Sequence, residues 1–467
     1  MKSLRNITTW LEDRTGVRSA TIQFLNEYIP GSSGWRQVFG SVALFLLLVQ
    51  GFTGILLALN YAPIPGDAYN SVRYILIEMT GGKLVRGLHH WGSSLLIIVI
   101  FLHITQVFLY GAYKKPRELT WISGVGLLLL ALTFGLTGYL LPWDNRAYWG
   151  TIVTTQIASH APLVGPYVLD LMGAKSGVGV LTLTRFYGLH VMVLPAAIML
   201  LVLFHVYLVR RHGVAPTPRD HSLSKKQFYP EQVFKDTVAI FIAFTILFAL
   251  AVLVHVPLSQ IADQADSTYI PRPEWYFLFL FQLLKFFQGP LEVVGSVILP
   301  SCAIIALILV PFVDRGKIVY VAKRGMAFVF VGLAFGAWTA LTLAAMATTP
   351  TPLVSIDYSR STDWIRASPA ELLARSGSDT QNVPEFAMRG ASIYQQHHCS
   401  ACHLVNGTGE RIGPPLNGLS KRRSRSWIEA HFSDPAKLSP GSIMPRFKLS
   451  RQQTADLTSY LLSLEGE

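Results

Sequence analysis

Residues 86–106 read Arg-Gly-Leu-His-His-Trp-Gly-Ser-Ser-Leu-Leu-Ile-Ile-Val-Ile-Phe-Leu-His-Ile-Thr-Gln, so that His89 and His103 bracket a run without charge. Ionisable side chains are costly in hydrocarbon and rarely lack a partner there. The interval of 14 residues is close to four helical turns, which puts both rings on one face about 21 Å apart along the axis. Residues 186–209 repeat the device with His190 and His205, 15 residues apart and on nearly the same face at nearly the same depth.

The rest of the chain agrees with a membrane setting. Of 467 residues, 51% are hydrophobic and 14% charged, against roughly 25% charged in soluble domains. Seven nearly uncharged windows, 37–61, 87–113, 121–143, 186–209, 237–262, 293–313 and 325–350, are long enough to cross a bilayer. The expected fold class is therefore all-α: a polytopic bundle of seven transmembrane helices, the first four forming a four-helix bundle. The net charge of +12 does not point to nucleic acid, because the cations sit in short clusters between the apolar runs. Lys2, Arg5, Arg14 and Arg18, then Lys114, Lys115 and Arg117, then Arg210, Arg211, Arg219, Lys225, Lys226 and Lys235, then Arg315, Lys317, Lys323 and Arg324 all fall on one side. That side is expected to be the cytoplasm. An odd number of spans then sends everything after Pro350 outside. Residues 1–33 lack a signal-peptide core, so the first span is expected to direct insertion and nothing to be cleaved. The expected location is a bacterial plasma membrane, with the N-terminus cytoplasmic.

Span three returns the chain, so spans two and four run in the same direction. His89 then meets His190 near the outer surface and His103 meets His205 near the inner one. Neutral imidazole is a common axial haem ligand, and four histidines in this register predict two stacked haem b sites. Any one of them alone reads equally as a satisfied core residue. His90, about 100° round the helix, is read that way. Gly40 and Gly54 on span one and Gly124 and Gly138 on span three are again 14 apart. Glycine admits either a flat macrocycle or a neighbouring helix at close range, and spacing leaves both readings open.

Two of the three cysteines lie in Cys399-Ser400-Ala401-Cys402-His403, the spacing of covalent haem c attachment. Cys302, in an apolar run, reads as packing. Residues 351–384 turn to Ser, Thr, Pro, Asp and Arg and read as a tether, with room for a helical turn over 369–375. Helices are expected over 385–396 and 452–464, the second with Leu457, Tyr460 and Leu461 on one side. Two long outer joints, 144–185 and 263–292, carry aromatic patches too short to span, as functional or covering loops do.

Several motifs together resemble cytochrome b of the Rieske/cytochrome b complexes over about residues 5–347: Arg86-Gly87-Leu88-His89, Gly138-Tyr139-Leu140-Leu141-Pro142-Trp143-Asp144, Thr184-Arg185-Phe186-Tyr187-Gly188-Leu189-His190 and Pro273-Glu274-Trp275-Tyr276. The 15-residue interval and Lys115-Pro116-Arg117-Glu118-Leu119-Thr120-Trp121 are most similar to the chloroplast-type b subunit, and spans five to seven to its separate subunit IV. The resemblance implies a proton-translocating quinol oxidoreductase that works as a homodimer with a Rieske iron–sulfur protein. It makes Glu274 the proton acceptor of an outer quinone site, lined by Tyr139 and the Trp149-Gly150 turn, with Pro273, Trp275 and Tyr276 in the same loop. A carboxylate at the membrane edge is a plausible first acceptor for quinol protons; read alone, Glu274 pairs with Arg272. Arg210 and Asp236 match positions near an inner, quinone-reducing site, the other reading being a solvated headgroup face. Arg86 and Arg185 are placed to neutralise outer-haem propionates. Val38 stands where the chloroplast-type subunit has a cysteine for an extra inner haem, which puts that haem in doubt. Gln106 stands where a basic residue often follows, removing one propionate contact.

The C-terminal segment resembles a small class I cytochrome c, with Gly413-Pro414-Pro415-Leu416 beside the haem and Met444 as its sixth ligand. A thioether ligand raises the potential. Packing is the other reading of Met444, with His397, His398 or His431 ligating instead. The expected organisation is a cytoplasmic segment 1–35, a di-haem domain 36–226, a subunit IV-like domain 227–350, the tether 351–384 and an extracytoplasmic cytochrome c domain 385–467. The expected function is quinol oxidation with electron bifurcation between the b haems and the Rieske partner. No Cys-x-Thr-His cluster motif occurs in the sequence, so that protein is a separate chain. The c domain passes electrons to a soluble or membrane c-type cytochrome or a terminal oxidase. A non-bifurcating di-haem anchor is the alternative, against which the Pro-Glu-Trp-Tyr loop argues. A sensor is a third reading, with no kinase-like or DNA-binding segment in its favour.

Overall fold

The computed structural model describes residues 2–65, 67–215, 225–259, 262, 269–316, 319, 321–349, 385–397, 399–405, 412–439, 442 and 444–464. Seven helices are long and apolar enough to cross a membrane: Trp35–Ala58, Gly82–Leu109, Glu118–Tyr139, Val180–His212, Glu231–Leu253, Gly289–Val313 and Gly325–Thr348. They are spans one to seven. Their most apolar windows have mean hydropathy from 1.9 to 2.7, yet in spans six and seven only 6% of that window is buried inside the chain. Helices this apolar and this uncovered need lipid around them, which makes this an integral membrane protein. Spans two to five begin three to six residues before their sequence windows. Backbone hydrogen bonding does not stop where charge begins, and long basic side chains reach the headgroups from the last turn of a helix.

Span one packs on span two and span three on span four; span five covers one and two, span six packs on three, and span seven on two. At the inner end the Asp314 carboxylate, after span six, accepts from Tyr113 at 2.6 Å, Lys114 at 2.8 Å and Arg324 at 2.6 Å. Arg324 also donates to the carbonyls of Phe108 and Leu109 at the end of span two. Partial burial pushes the Asp314 carboxyl upward, but the Lys114 and Tyr113 hydrogen bonds and the neighbouring cations hold it below its ordinary range. A short antiparallel pair, Tyr28–Ile29 with Lys226–Gln227, closes the same end.

Span four is not a regular α-helix. A π segment, Leu189–Val193, carries His190 and precedes Pro195. Proline has no N–H and its ring clashes with the carbonyl four residues back, here Val191, so the turn widens. Span six repeats this, with Val294–Ile298 ahead of Pro300.

On the outer side, Asp144 caps the helix Asn145–Ser159 by accepting from the Ala147 N–H at 2.8 Å, and its second oxygen accepts from Ser259 N–H at 2.8 Å. Burial raises the Asp144 carboxyl, with these two N–H groups opposing. Trp143 just before it has φ 52°, uncommon without a glycine, and is held there by packing on Ala68, Tyr148 and Leu183.

The C-terminal domain is built from helices Glu385–Gln396, Arg425–Ser433 and Arg451–Ser463 around Tyr394, Ile428, Phe432, Leu457, Tyr460 and Leu461. Its first and last helices cross at Gly390, where a Cβ would stand 2.2 Å from the Asp456 carbonyl oxygen. Ile412 and Cys402 pack against Tyr69, Val72 and Leu76 of the helix Ala68–Ile77, so this domain sits at the end of the bundle opposite the Asp314 cluster. The fold is thus the expected all-α membrane bundle with a small helical cytochrome c domain. The tether 351–384, its turn at 369–375, and His398 lie outside the described residues. Cys302 is exposed, not packed inside: lipid is as apolar as a core, so an apolar run does not tell the two faces of a span apart.

Candidate haem and quinone sites

Each of the four histidines lies against one of the four glycines. A Cβ on Gly54 would stand 3.2 Å from the His89 ring, on Gly40 3.5 Å from His103, on Gly124 3.3 Å from His205 and on Gly138 2.7 Å from His190. The glycines thus make room for the histidine rings. The residue before each glycine matters too. Thr53 Oγ1 lies 3.0 Å from His89 Nδ1, Ser123 Oγ 2.9 Å from His205 Nδ1, and Thr137 Oγ1 2.9 Å from His190 Nδ1. Each hydroxyl already donates its one proton to a helix carbonyl, of Val49, Thr120 and Thr133 respectively. It must therefore accept from Nδ1–H, which fixes the tautomer and leaves Nε2 bare for a metal. His103 lacks this support. Phe39 precedes its glycine, and among the described residues the buried His103 Nδ1 has no hydrogen-bond partner.

The His89 and His190 rings have centroids 6.3 Å apart at an interplanar angle of 73°. A metal bonded at about 2 Å to one nitrogen of each ring would place the centroids about 6 Å apart. The outer pair therefore fits an axially ligated haem iron. His90 packs edge-on to Trp91 at 4.8 Å. Arg86 donates to the carbonyls of Val256 and Pro257, and Arg185 to those of Asp170 and Leu171, so both guanidiniums sit at the outer end on backbone acceptors.

The Pro-Glu-Trp-Tyr loop closes over the outer end of span three. Tyr276 is buried, and its hydroxyl occupies the space a Cβ on Gly135 would need, 2.3 Å away. Trp275 Nε1 donates to Ser94 Oγ at 3.3 Å. Tyr139 donates from its hydroxyl to the carbonyls of Arg272 at 2.9 Å and Arg146 at 3.1 Å, and Gly150 lies against its ring. Pro273 sits between Arg272 and Glu274 in this loop. The Glu274 carboxylate is paired with Arg146, Nη2 to Oε1 at 3.3 Å, instead of the Arg272 expected from sequence. Arg146 Nε also donates to the Arg272 carbonyl at 3.3 Å, and its guanidinium lies 5.0 Å above the Tyr139 ring. Burial raises the Glu274 carboxyl, Arg146 opposes this, and Asp144 adds to it. Arg146 is the residue that sequence reading missed. Its signal, a cation two residues past the Pro-Trp-Asp turn, has no visible partner until that turn is known to face the loop.

At the inner end Asp236 accepts from Ser41 at 3.0 Å and Gln232 at 2.9 Å. Arg210 forms an ion pair with Glu27 in a cleft of about 670 Å³ lined also by Gln23, Asn26, Tyr207 and Arg211. The two residues are thus engaged by different elements.

In the C-terminal domain His403 Nδ1 lies 2.8 Å from the Pro414 carbonyl, to which it donates, again leaving Nε2 bare. A Cβ on Gly413 would come within 2.5 Å of the same ring. Burial holds His403 below the usual imidazole range, with the Pro414 hydrogen bond opposing, which favours the neutral, ligating form. Met444 and Cys399 each pack on the domain core. His397 is edge-on to Phe447 at 5.2 Å and His431 stacks on Trp427 at 4.5 Å.

Comparison with known proteins agrees with this architecture. Residues 25–213 match the family model described as Cytochrome b/b6/petB, residues 261–362 that described as Cytochrome b(C-terminal)/b6/petD, and residues 387–465 that of Cytochrome c. The Cytochrome bc complex cytochrome b subunit of Chlorobaculum thiosulfatiphilum is 36% identical over 317 residues, 66% of this chain and 74% of that one. Cytochrome b6 of a Desmonostoc species is 36% identical over 212 residues, 45% of this chain and 99% of its own length. A solved structure titled Hyperthermophilic respiratory Complex III is similar with a TM-score of 0.66 at 28% identity, covering 74% of this chain and 92% of that chain. Haem b and haem c are the cofactors that these two kinds of domain imply. The chain belongs to the cytochrome b family of bc- and b6f-type quinol oxidoreductase complexes, and carries a cytochrome c domain after its seventh span.

Proposed function

We propose that this subunit oxidises quinol at an outer site and divides its two electrons, one to a partner Rieske iron–sulfur protein and one inward across the membrane. The observation that carries the reading is the Glu274 carboxylate, held by a buried loop at the outer end and ion-paired within reach of solvent. His89 with His190 and His103 with His205 hold two b haems; Cys399, Cys402, His403 and Met444 hold the c haem. When bound, these haems supply one-electron carriage. The protein's own residues manage the protons. Glu274 takes one from the quinol hydroxyl, while Tyr139, by clamping the Arg272 carbonyl, holds Pro273 and Glu274 in register. Trp275 and Tyr276 anchor the rest of the loop and bound the pocket with Gly150.

Quinone is the substrate class; at the inner end Arg210 and Asp236 serve its reduction, where protons are taken up. The membrane halves are 36–226 and 227–350, the N-terminal side faces the cytoplasm, and the c domain lies outside, where it passes electrons to a soluble or membrane acceptor. The complex is a dimer. Support for the topology comes from the packing of Cys402 and Ile412 on the outer helix Ala68–Ile77 together with the clustering of cations in the opposite joints.

Glu274→Gln tests the reading. Quinol oxidation is expected to fall about a hundredfold or more, the range in which a general base contributes, with all three haem spectra retained. Unchanged turnover would remove the role of Glu274 and leave a non-bifurcating di-haem anchor as the better account.

A further inference from the structure

We infer that Arg146 is the positioning residue of the outer quinone site: it holds Glu274 in the ionised, proton-accepting form and lets go when that carboxylate receives the quinol proton. The inference rests on the base role proposed above for Glu274 and adds a residue to it.

The argument is geometric. Among the described residues the Arg146 side chain has three holds that bear on this loop, and only one involves the carboxylate. Nη2 meets Glu274 Oε1 at 3.3 Å, Nε donates to the Arg272 carbonyl at 3.3 Å, and the guanidinium lies 5.0 Å above the Tyr139 ring. Two of the three holds are indifferent to the charge on Glu274. When the carboxylate is neutralised the guanidinium stays seated, and the side chain that becomes free is the glutamate. Arg146 itself starts on the first turn of Asn145–Ser159, a helix pinned by its Asp144 cap. The pair is sheltered, with side chains 28% and 16% exposed, so solvent screens it less than a surface pair.

The other groups that act on this carboxylate are Asp144 from the helix cap, Tyr139 from span three and Tyr276 from the loop, while Tyr269 faces Tyr139 and His90 from span two faces Arg146. Arg146 is the cation in direct contact with the carboxylate. Without it Asp144 loses the cation that opposes it at this carboxylate, and Glu274 would keep its proton to a higher pH.

The step balances. The quinol O–H bond breaks and an Oε–H bond forms on Glu274, neutralising the carboxylate and its half of the ion pair. The second quinol hydroxyl gives up its proton on the side of the Rieske partner as that protein takes the first electron, the second electron would leave inward, and the proton on Glu274 passes to outer water, which restores the pair.

The test follows pre-steady-state quinol oxidation by the whole complex from pH 5 to 9. It compares the parent, Arg146→Gln, Arg146→Lys and Glu274→Gln, with haem spectra recorded for each. The parent rate should fall on the acid side. Arg146→Gln should move that midpoint upward by about one pH unit, the low end of the effect of a nearby opposite charge, so that the rate at the parent midpoint drops several-fold while the alkaline plateau changes little. Arg146→Lys, which keeps the charge, should return most of the shift. An unmoved midpoint in Arg146→Gln with intact haem spectra would overturn the inference. Should that variant lose its haems, Arg146→Met decides on the same criterion. A limb that survives in Glu274→Gln points elsewhere: it removes the base assignment, not the Arg146 contact.

Discussion

A hydroxyl beside a histidine decides which ring nitrogen is free, and in this chain that choice is made three times by a Thr or Ser set directly before a glycine. Nδ1–H donation to Thr53, Ser123 or Thr137 makes each imidazole a stronger electron donor through Nε2. Thr137→Val should therefore raise the midpoint potential of the outer b haem by about 40 mV, the one-electron equivalent of a hydrogen bond worth roughly 1 kcal/mol; redox titration of the b band checks it. Gly138 is less forgiving. With a Cβ only 2.7 Å from the His190 ring, Gly138→Val is expected to expel that ring and cost the outer haem, read as loss of one b haem per protein. For Glu274 the sign follows from burial. Its carboxyl is raised, so the proton-accepting form is present above that raised value and lost as pH falls through it, and the acid limb of the rate should lie above the ordinary glutamate range. The four histidines and their glycines were legible in the sequence because helical geometry converts intervals into depth. The hydroxyls were not, since Thr and Ser in apolar helices most often bond their own backbone.

Among the elements, the inner clip of Asp314 with Tyr113, Lys114 and Arg324 joins the loop between spans two and three to the loop between spans six and seven. Asp314→Asn leaves Arg324, whose side chain is 6% exposed, without its counter-charge. A loss of about 1–3 kcal/mol is expected, measurable as a lower unfolding midpoint in detergent. Because the Asp314 carboxyl is held below its ordinary value, its contribution is full above the unfolded-state value and disappears as pH falls through the folded one. At this scale the seven spans were readable from length and hydropathy alone. Their true ends were not, because helices run on into charged headgroup layers. The pairing of Glu274 was also hidden: Arg272 and Arg146 are both cations near it, and sequence distance favours the adjacent one. What selects Arg146 is that Tyr139 and Arg146 both hold the Arg272 carbonyl, which seats the Arg146 guanidinium at the loop.

The whole molecule places the Glu274–Arg146 pair, the His89–His190 pair and the cytochrome c domain at one end, with the basic joints at the other. That polarity is what the proposed quinol oxidation needs, since protons must leave on one side and electrons must return toward the other. It was legible in outline because an odd number of spans fixes the side of the C-terminal domain. The contact of that domain with the outer helix Ala68–Ile77 was not, since nothing in the sequence of either partner names the other. The measurement that tests the central claim most directly uses the purified complex with quinol present and the inner quinone site blocked, adding an oxidant while the b-haem absorbance is recorded. Division of the two electrons requires that the oxidant transiently reduce the b haems. If they only oxidise, or stay still while the c haem turns over, the electrons are not divided and the account fails.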